Sequence, residues 1–197
     1  MIALLLSGGI DSVALAFWKR PDVAITINYG QRAAPSEITA ARHVAELLTM
    51  PHEVVSVDCS SLGSGDMAGS APLAEAPVSE WWPYRNQLLV TLGATKAIGL
   101  GAGELMIGSV ATDAVHVDGT PEFYQAMDRL TAMQEGGLRV TAPAVSMTTA
   151  ELVRSSGVAR DVIAWAHSCH TGPFACGDCR GCYKHQQVME ELYGDAY

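Results

Sequence analysis

Two sets of residues in this chain of 197 have the types and spacing that chemistry requires. The first is Ser7, Gly8, Gly9, Ile10, Asp11 and Ser12, a small hydroxyl-bearing turn that follows the apolar run ending at Leu6. Residues 2–6 are continuously apolar, as a strand covered on both faces must be, and apolar residues resume at helical spacing over 13–18. A turn between a strand and a helix N-terminus offers unpaired backbone N–H groups and a positive dipole end, and glycines let an anion approach closely. The stretch therefore reads as a phosphate cradle, with Ser7 and Ser12 as hydroxyl donors. Asp11 suits such a site as a helix cap or as a ligand of bound magnesium, either of which offsets its repulsion of phosphate.

The second set is Cys169, Cys176, Cys179 and Cys182, in which two Cys-x-x-Cys steps share Cys179. Four of the five cysteines cluster here, in a chain without secretion features, which points to metal rather than disulfides. Gly177 and Gly181 permit the sharp turns that bring thiolates onto one tetrahedral zinc ion. All four corners are then protein, so the site is expected to be structural; an iron–sulfur cluster or a redox pair are the alternatives. His167, His170 and His185 lie nearby and are read as surface or supporting residues. Cys59 stands apart and is read as a half-buried core thiol.

Positioning these residues falls to one α/β core. The chain is 49% hydrophobic and 17% charged, enough for one substantial core. A net charge of −9 and a pI near 5.0 argue against nucleic acid as the main partner and leave a small molecule or a protein. The apolar stretch 87–108 contains Lys96 and Glu104, so it reads as a buried helix and strand rather than a membrane span, and a cytoplasmic location is expected. Further strands are expected at 23–28, 54–57 and 105–109. Helices are expected at 36–48, 85–100, 121–135 and 149–156, with a last one after the cysteines. Such alternation implies a doubly wound parallel sheet that binds ligands at the carboxyl ends of its strands. Residues 60–83, rich in Ser, Gly, Ala and Pro, read as a long surface loop. The expected division is an α/β domain over 1–165 and a small C-terminal zinc-binding segment with its helix over 166–197.

Neither Gly-x-x-x-x-Gly-Lys-Ser/Thr nor Gly-x-Gly-x-x-Gly occurs at the first turn. Its Ser-Gly-Gly-x-Asp-Ser pattern instead resembles the pyrophosphate loop of ATP pyrophosphatases, which cleave ATP between the α and β phosphates. Taken with Asn28, Tyr29, Gly30, Gln31 and Arg32, then Tyr84, Arg85, Asn86, Thr112 and Asp113, and the cysteine cluster, nearly the whole chain resembles the 7-cyano-7-deazaguanine synthase family. The resemblance implies an adenine-nucleotide α-hydrolase type of fold, binding ATP at Leu6 to Ser12 with Mg2+, and Zn2+ at the four cysteines. It implies adenylation of the carboxylate of 7-carboxy-7-deazaguanine, displacement of AMP by ammonia, and a second activation that leaves a nitrile. Ser7, Asp11, Ser12 and Arg85 would serve catalysis. Tyr29, Gly30, Gln31, Arg32, Arg85, Asn86, Asp113 and Asp118 would line the substrate side, in a homodimer. Guanidinium forks suit a carboxylate or an acyl-phosphate, and Asn86, Asp113 and Asp118 suit the donor-rich edge of a deazaguanine. Simpler roles stay open: Arg85 paired with a surface acid, Asp118 in a turn, Asn28 as a strand-end cap.

The chain also departs from that family. Thr149 stands where members carry a lysine, so a cation near the phosphates is expected to be missing, with Thr149 left as a helix cap. Ala33 and Ala111 replace bulkier polar residues and are expected to open the acceptor pocket, admitting a larger amine such as one on a protein. Two other classes are a tRNA-thiolating ATP pyrophosphatase and a non-catalytic nucleotide-sensing module.

Overall fold

The computed structural model describes residues 1–194; the last three residues of the 166–197 segment lie outside them. Five strands, β1 (Ile2–Leu5), β2 (Val23–Asn28), β3 (His52–Ser56), β4 (Glu104–Ile107) and β5 (Arg139–Thr141), form one parallel sheet in the order β3-β2-β1-β4-β5. Eight α-helices accompany them: α1 (Ile10–Lys19), α2 (Ala34–Leu47), α3 (Gly65–Ala68), α4 (Arg85–Gly99), α5 (Pro121–Ala132), α6 (Thr149–Ser156), α7 (Arg160–Ala164) and α8 (Arg180–Tyr193). Strand β1 runs through the middle, with Leu5 opposite Ile25 on one side and Ile107 on the other.

Its alternation sends side chains to both faces. Leu4 and Leu6 join Leu15, Val44, Leu152, Ile163, Val188 and Met189 in a core shared by α1, α2, α6, α7 and α8. Ala3 and Leu5 join Ile25, Trp82, Ala97 and Leu105 under α4. Each large side chain buried here contributes roughly 1.5–3 kcal/mol. The sheet is built outward from β1 in both directions, so the winding reverses between β1 and β4, and a crevice opens beyond their carboxyl ends.

The structure departs from the sequence pattern at several places. Helix α1 starts at Ile10, not where apolar periodicity begins, so Asp11 and Ser12 sit in its first turn. Strand β3 begins at His52 and ends at Ser56. Strand β5 and helix α7 were not foreseen; they are three and five residues long, too short for periodicity to mark. Residues 60–83 are not a surface loop throughout. They carry α3, and Met67 and Trp82 are buried, Trp82 meeting Tyr29 edge-on at 4.9 Å between ring centroids. No helix among the described residues is long and apolar enough to cross a membrane.

Candidate active site and metal centre

The turn after β1 is held by its own short side chains. The Ser7 Oγ accepts from the Gly9 N–H at 3.3 Å and lies 3.1 Å from the Ser12 Oγ, which donates to the Gly9 carbonyl at 3.0 Å. Gly8 has φ +79°, and a Cβ there would lie 2.6 Å from the Glu37 carbonyl oxygen and 2.9 Å from the Ala40 Cβ. A Cβ on Gly108, just past β4, would lie 2.9 Å from the Ser12 Cα. Two glycines thus let α2 and the end of β4 close directly onto the turn.

Asp11 is not a cap: Gly9 holds that position, without a side-chain bond. The Asp11 carboxylate accepts from the Thr149 Oγ1 at 2.7 Å and from the Lys184 Nζ at 2.7 Å, and Lys184 also reaches the Asp113 Oδ1 at 3.2 Å. Burial pushes the Asp11 carboxyl above its ordinary range, with Lys184 pulling it back. Thr149 does not cap α6 either. Thr148 does so, its Oγ1 accepting from the Glu151 N–H at 3.2 Å while Glu151 accepts from the Thr148 N–H at 2.7 Å. That frees the Thr149 hydroxyl for Asp11. The expected loss of a cation is corrected by the same geometry, because α8 brings Lys184 to the carboxylate that Thr149 touches.

A cavity of about 280 Å3 opens over this turn. Leu6, Ser7, Gly9, Ile10, Asp11 and Ser12 form one part of its lining, and Tyr29, Arg85, Asn86 and Asp113 another; Gly8, Gly30, Gln31, Arg32 and Asp118 lie outside it. Gln31 and Asp118 support residues that do line it. The Gln31 Oε1 accepts from the Tyr29 N–H at 2.9 Å, and its Nε2 donates to the Glu37 Oε2 at 2.7 Å. Asp118 accepts from the Asn86 backbone N–H at 3.2 Å, and its carbonyl accepts from the Asn86 Nδ2 at 2.8 Å, so it is more than a turn residue. Asn28 acts as a strand-end cap, its Oδ1 accepting from the Gly30 N–H at 3.2 Å. The exposed Arg32 runs its side chain over Gly69. Ala33 is buried and Ala111 exposed, and neither lines the cavity, so neither enlarges it.

Arg85 is not paired with a surface acid. Its Nη1 lies 3.0 Å from the Met67 Sδ and its Nη2 donates to the Asn86 Oδ1 at 3.4 Å. Burial opposes its charge, but the acidic groups around it, Asp118 and Glu37 among them, outweigh that and hold it firmly protonated. Burial raises Tyr29 well above its ordinary range and pushes Tyr124, also on the cavity, up to about 12. Both phenols are therefore neutral donors. Sequence reasoning missed Glu37, Glu80 and Lys184, all lining the cavity. Burial raises Glu37 to about 7.

The four cysteine sulfurs lie within 4.8 Å of one another, with Cys176 and Cys182 at 3.9 Å. A tetrahedral zinc with Zn–S bonds near 2.3 Å needs sulfurs roughly 3.8 Å apart, so the donor set fits. Backbone N–H groups of His170 and Cys182 point at the Cys179 Sγ, and those of Asp178 and Cys179 at the Cys176 Sγ, all at 3.3–3.5 Å, which favours thiolate charge. Cys179 is also the N-cap of α8. The knot therefore launches a helix into the cavity: Arg180 pairs with the buried Glu80 at 2.9 Å and donates to the Thr112 carbonyl at 3.3 Å, and Lys184 follows one turn later. Of the nearby histidines, His167 and His170 line the cavity, the His167 N–H donating to the Gly8 carbonyl at 2.8 Å, while His185 is buried beside the Ser168 Oγ at 3.2 Å. Cys59 is buried in the core beside Tyr29 and Trp82, deeper than the half-buried position expected.

Residues 1–193 match the family model described as queuosine biosynthesis protein QueC. A 7-cyano-7-deazaguanine synthase from Acidobacterium capsulatum is 32% identical, the alignment covering 94% of this chain and 90% of that protein. One from Thiobacillus denitrificans is 33% identical over 91% of this chain and 88% of that protein, and one from Methanothermobacter thermautotrophicus 30% identical over 94% and 92%. Among solved structures, the U34-tRNA thiolase NcsA from Methanococcus maripaludis with its [4Fe-4S] cluster superposes with a TM-score of 0.54 at 14% identity, covering 99% of this chain and 67% of that one. NMN synthetase from Francisella tularensis gives 0.51 at 15%, covering 98% and 77%. At those identities the likeness is one of fold.

Proposed function

Because the chain belongs to the QueC family of queuosine biosynthesis proteins, we propose that it is an ATP-dependent carbon–nitrogen ligase converting 7-carboxy-7-deazaguanine to 7-cyano-7-deazaguanine. One observation carries the reading: Ser7, Gly9, Ile10, Asp11 and Ser12 of the proposed phosphate cradle line one cavity with the buried Tyr29 and the half-buried Arg85 and Asn86. Transfer of an adenylyl group from ATP to a carboxylate needs a phosphate-gripping group and a carboxylate-holding group in one space, and the shared cavity supports that assignment.

In this reading a substrate carboxylate oxygen attacks the α-phosphorus of ATP and pyrophosphate leaves, giving an acyl-adenylate. Ammonia attacks the acyl carbon and AMP leaves, giving the amide. The amide oxygen then attacks the α-phosphorus of a second ATP and pyrophosphate leaves, after which loss of AMP and the two N–H protons yields the nitrile. The Gly9 N–H end of α1 and the Ser7 and Ser12 hydroxyls receive phosphate oxygens in a fixed geometry, which favours charge as it develops. Arg85, kept charged in a buried site, holds the carboxylate and later the acyl-phosphate. Tyr29 and Tyr124 act as neutral donors. Glu37, ionising at about 7, takes a proton from the attacking amine. Mg2+ would supply further charge neutralisation at the phosphates, and Asp11 and Asp113 would hold it through the oxygens that Lys184 does not bond, Oδ1 of Asp11 and Oδ2 of Asp113. Zn2+ in the four-cysteine knot would be structural, since all four positions are thiolate. The larger-amine alternative rested on Ala33 and Ala111, which lie off the cavity, and among the described residues no cysteine lines it as a thiolating site would need.

The test is mass spectrometry of products from 7-carboxy-7-deazaguanine, ATP and magnesium, with and without ammonium. Two AMP per nitrile are expected with ammonium. AMP without nitrile overturns the product, and absence of AMP overturns the adenylation.

A further inference from the structure

The nucleotide brings several negative charges to a turn that already holds Asp11, with Asp113 beside it. Something fixed must balance them, and the cations that line the cavity are few. Arg180 has both terminal nitrogens engaged, by Glu80 at 2.9 Å and by the Thr112 carbonyl at 3.3 Å. Arg85 stands at the start of α4 among Met67, Asn86 and Tyr29, on the acceptor part of the lining. Lys184 differs in place and in bonding. Its Nζ lies 2.7 Å from the Asp11 Oδ2 and 3.2 Å from the Asp113 Oδ1, which occupies two of an ammonium's three donors and leaves one for a ligand oxygen. It stands against the first turn of α1, where the dipole already draws anions.

From this we propose that Lys184, delivered by α8, is the cation that binds the nucleotide phosphates, and that it does from the C-terminal helix what a lysine at position 149 would do from α6. The inference rests on the adenylation reading above and names a residue for its phosphate side. The two positions are geometrically exchangeable, since Thr149 and Lys184 hold the two oxygens of the same Asp11 carboxylate, each at 2.7 Å. A second cavity of about 400 Å3 borders both side chains, so a lysine at 149 has room once Lys184 is shortened.

The experiment is calorimetric titration of the full chain with α,β-methylene-ATP and, separately, with adenosine, alongside AMP formation, metal content and melting temperature. Lys184→Gln keeps a donor of similar length for Asp11 but removes the charge. It should weaken analogue binding and AMP formation roughly ten- to hundredfold, the range of one charge-assisted contact, while adenosine affinity, metal content and melting stay at the parent's level. Lys184→Arg should stay within about threefold of the parent, because it restores the charge to the same helix. The pair Lys184→Ala with Thr149→Lys should recover at least about tenfold over Lys184→Ala alone. Parental analogue affinity in Lys184→Gln overturns the assignment, as does an equal loss for analogue and adenosine. A Lys184→Arg protein as weak as Lys184→Gln also overturns it, and this variant decides the matter should Lys184→Gln lose its metal. If the parent binds the analogue but makes no AMP from 7-carboxy-7-deazaguanine, the acceptor reading fails while the lysine assignment stands.

Discussion

The two parts of the cavity lining are built in opposite ways. The part proposed for phosphate is a run of neighbours, residues 6–12, whose turn is closed by bonds among Ser7, Gly9 and Ser12 that span no more than five positions, and whose shape depends on Gly8 and Gly108 having no side chain. The part proposed for the acceptor is assembled from Tyr29 after β2, Glu37 on α2 and Arg85 and Asn86 at the start of α4, with Glu37 held by Gln31 and Asn86 by Asp118. One is a matter of backbone fit and the other of electrostatics. Damage to the first should therefore appear in folding, and damage to the second in substrate affinity with the fold intact.

Removing what both share should have the largest effect. Chelation, or Cys176→Ser, should release the metal and lower stability by several kcal/mol, because metal binding is folding energy in such knots; elemental analysis with thermal melting measures this, and a metal-free protein melting like the parent would refute it. Next comes Gly8→Ala, which forces a methyl against the Glu37 carbonyl at positive φ and should cost about 2–4 kcal/mol in urea unfolding. A soluble, equally stable Gly8→Ala protein would erase the contrast. Arg85→Ala should leave ATP affinity near the parent's and raise the KM for 7-carboxy-7-deazaguanine by about 1.5–3 kcal/mol, and an equal loss for both ligands would break the division.

The smallest effect is a pH dependence. Unfolded, Glu37 ionises near 4.5, whereas folded it keeps its proton up to about 7. The folded state thus binds more protons across that window, and stability falls as pH rises through it. Glu37→Gln should remove this cost, melting like the parent at pH 4 and gaining on the order of 1–2 kcal/mol at pH 8. A variant that gains nothing at pH 8 would show that the carboxyl is well solvated.

What the sequence disclosed follows the same contrast. The turn at residues 7–12 and the four cysteines were legible because their partners are near in sequence, and β1, β2 and α4 because buried runs and long periodic stretches declare themselves. Glu37 and Lys184 were not. Each sits at an ordinary polar position of an amphipathic helix; Lys184 takes its meaning from Asp11, 173 positions away, and Glu37 from the burial that the assembled fold imposes on it. A weak signal did exist for Lys184: it falls one turn after Arg180, immediately behind the last cysteine. Thr149 misled for a related reason, since its neighbour Thr148 supplies the cap and the replacement charge arrives from another helix. Glu80, buried in a stretch that composition marks as loop, gave no sign at all.

Arg180 and Lys184 are four residues apart and so share one face of α8, and the helix starts at Cys179, where the knot fixes its first turn. The knot therefore sets the angular phase of the helix. One residue inserted between Cys182 and Lys184 would turn the lysine by about 100°, away from Asp11, while leaving the cysteines, the helix and Arg180 in place. In this fold a four-cysteine knot acts as the index mark of a dial, and the spacing from Cys182 to Lys184 is the setting that the rest of the cavity reads.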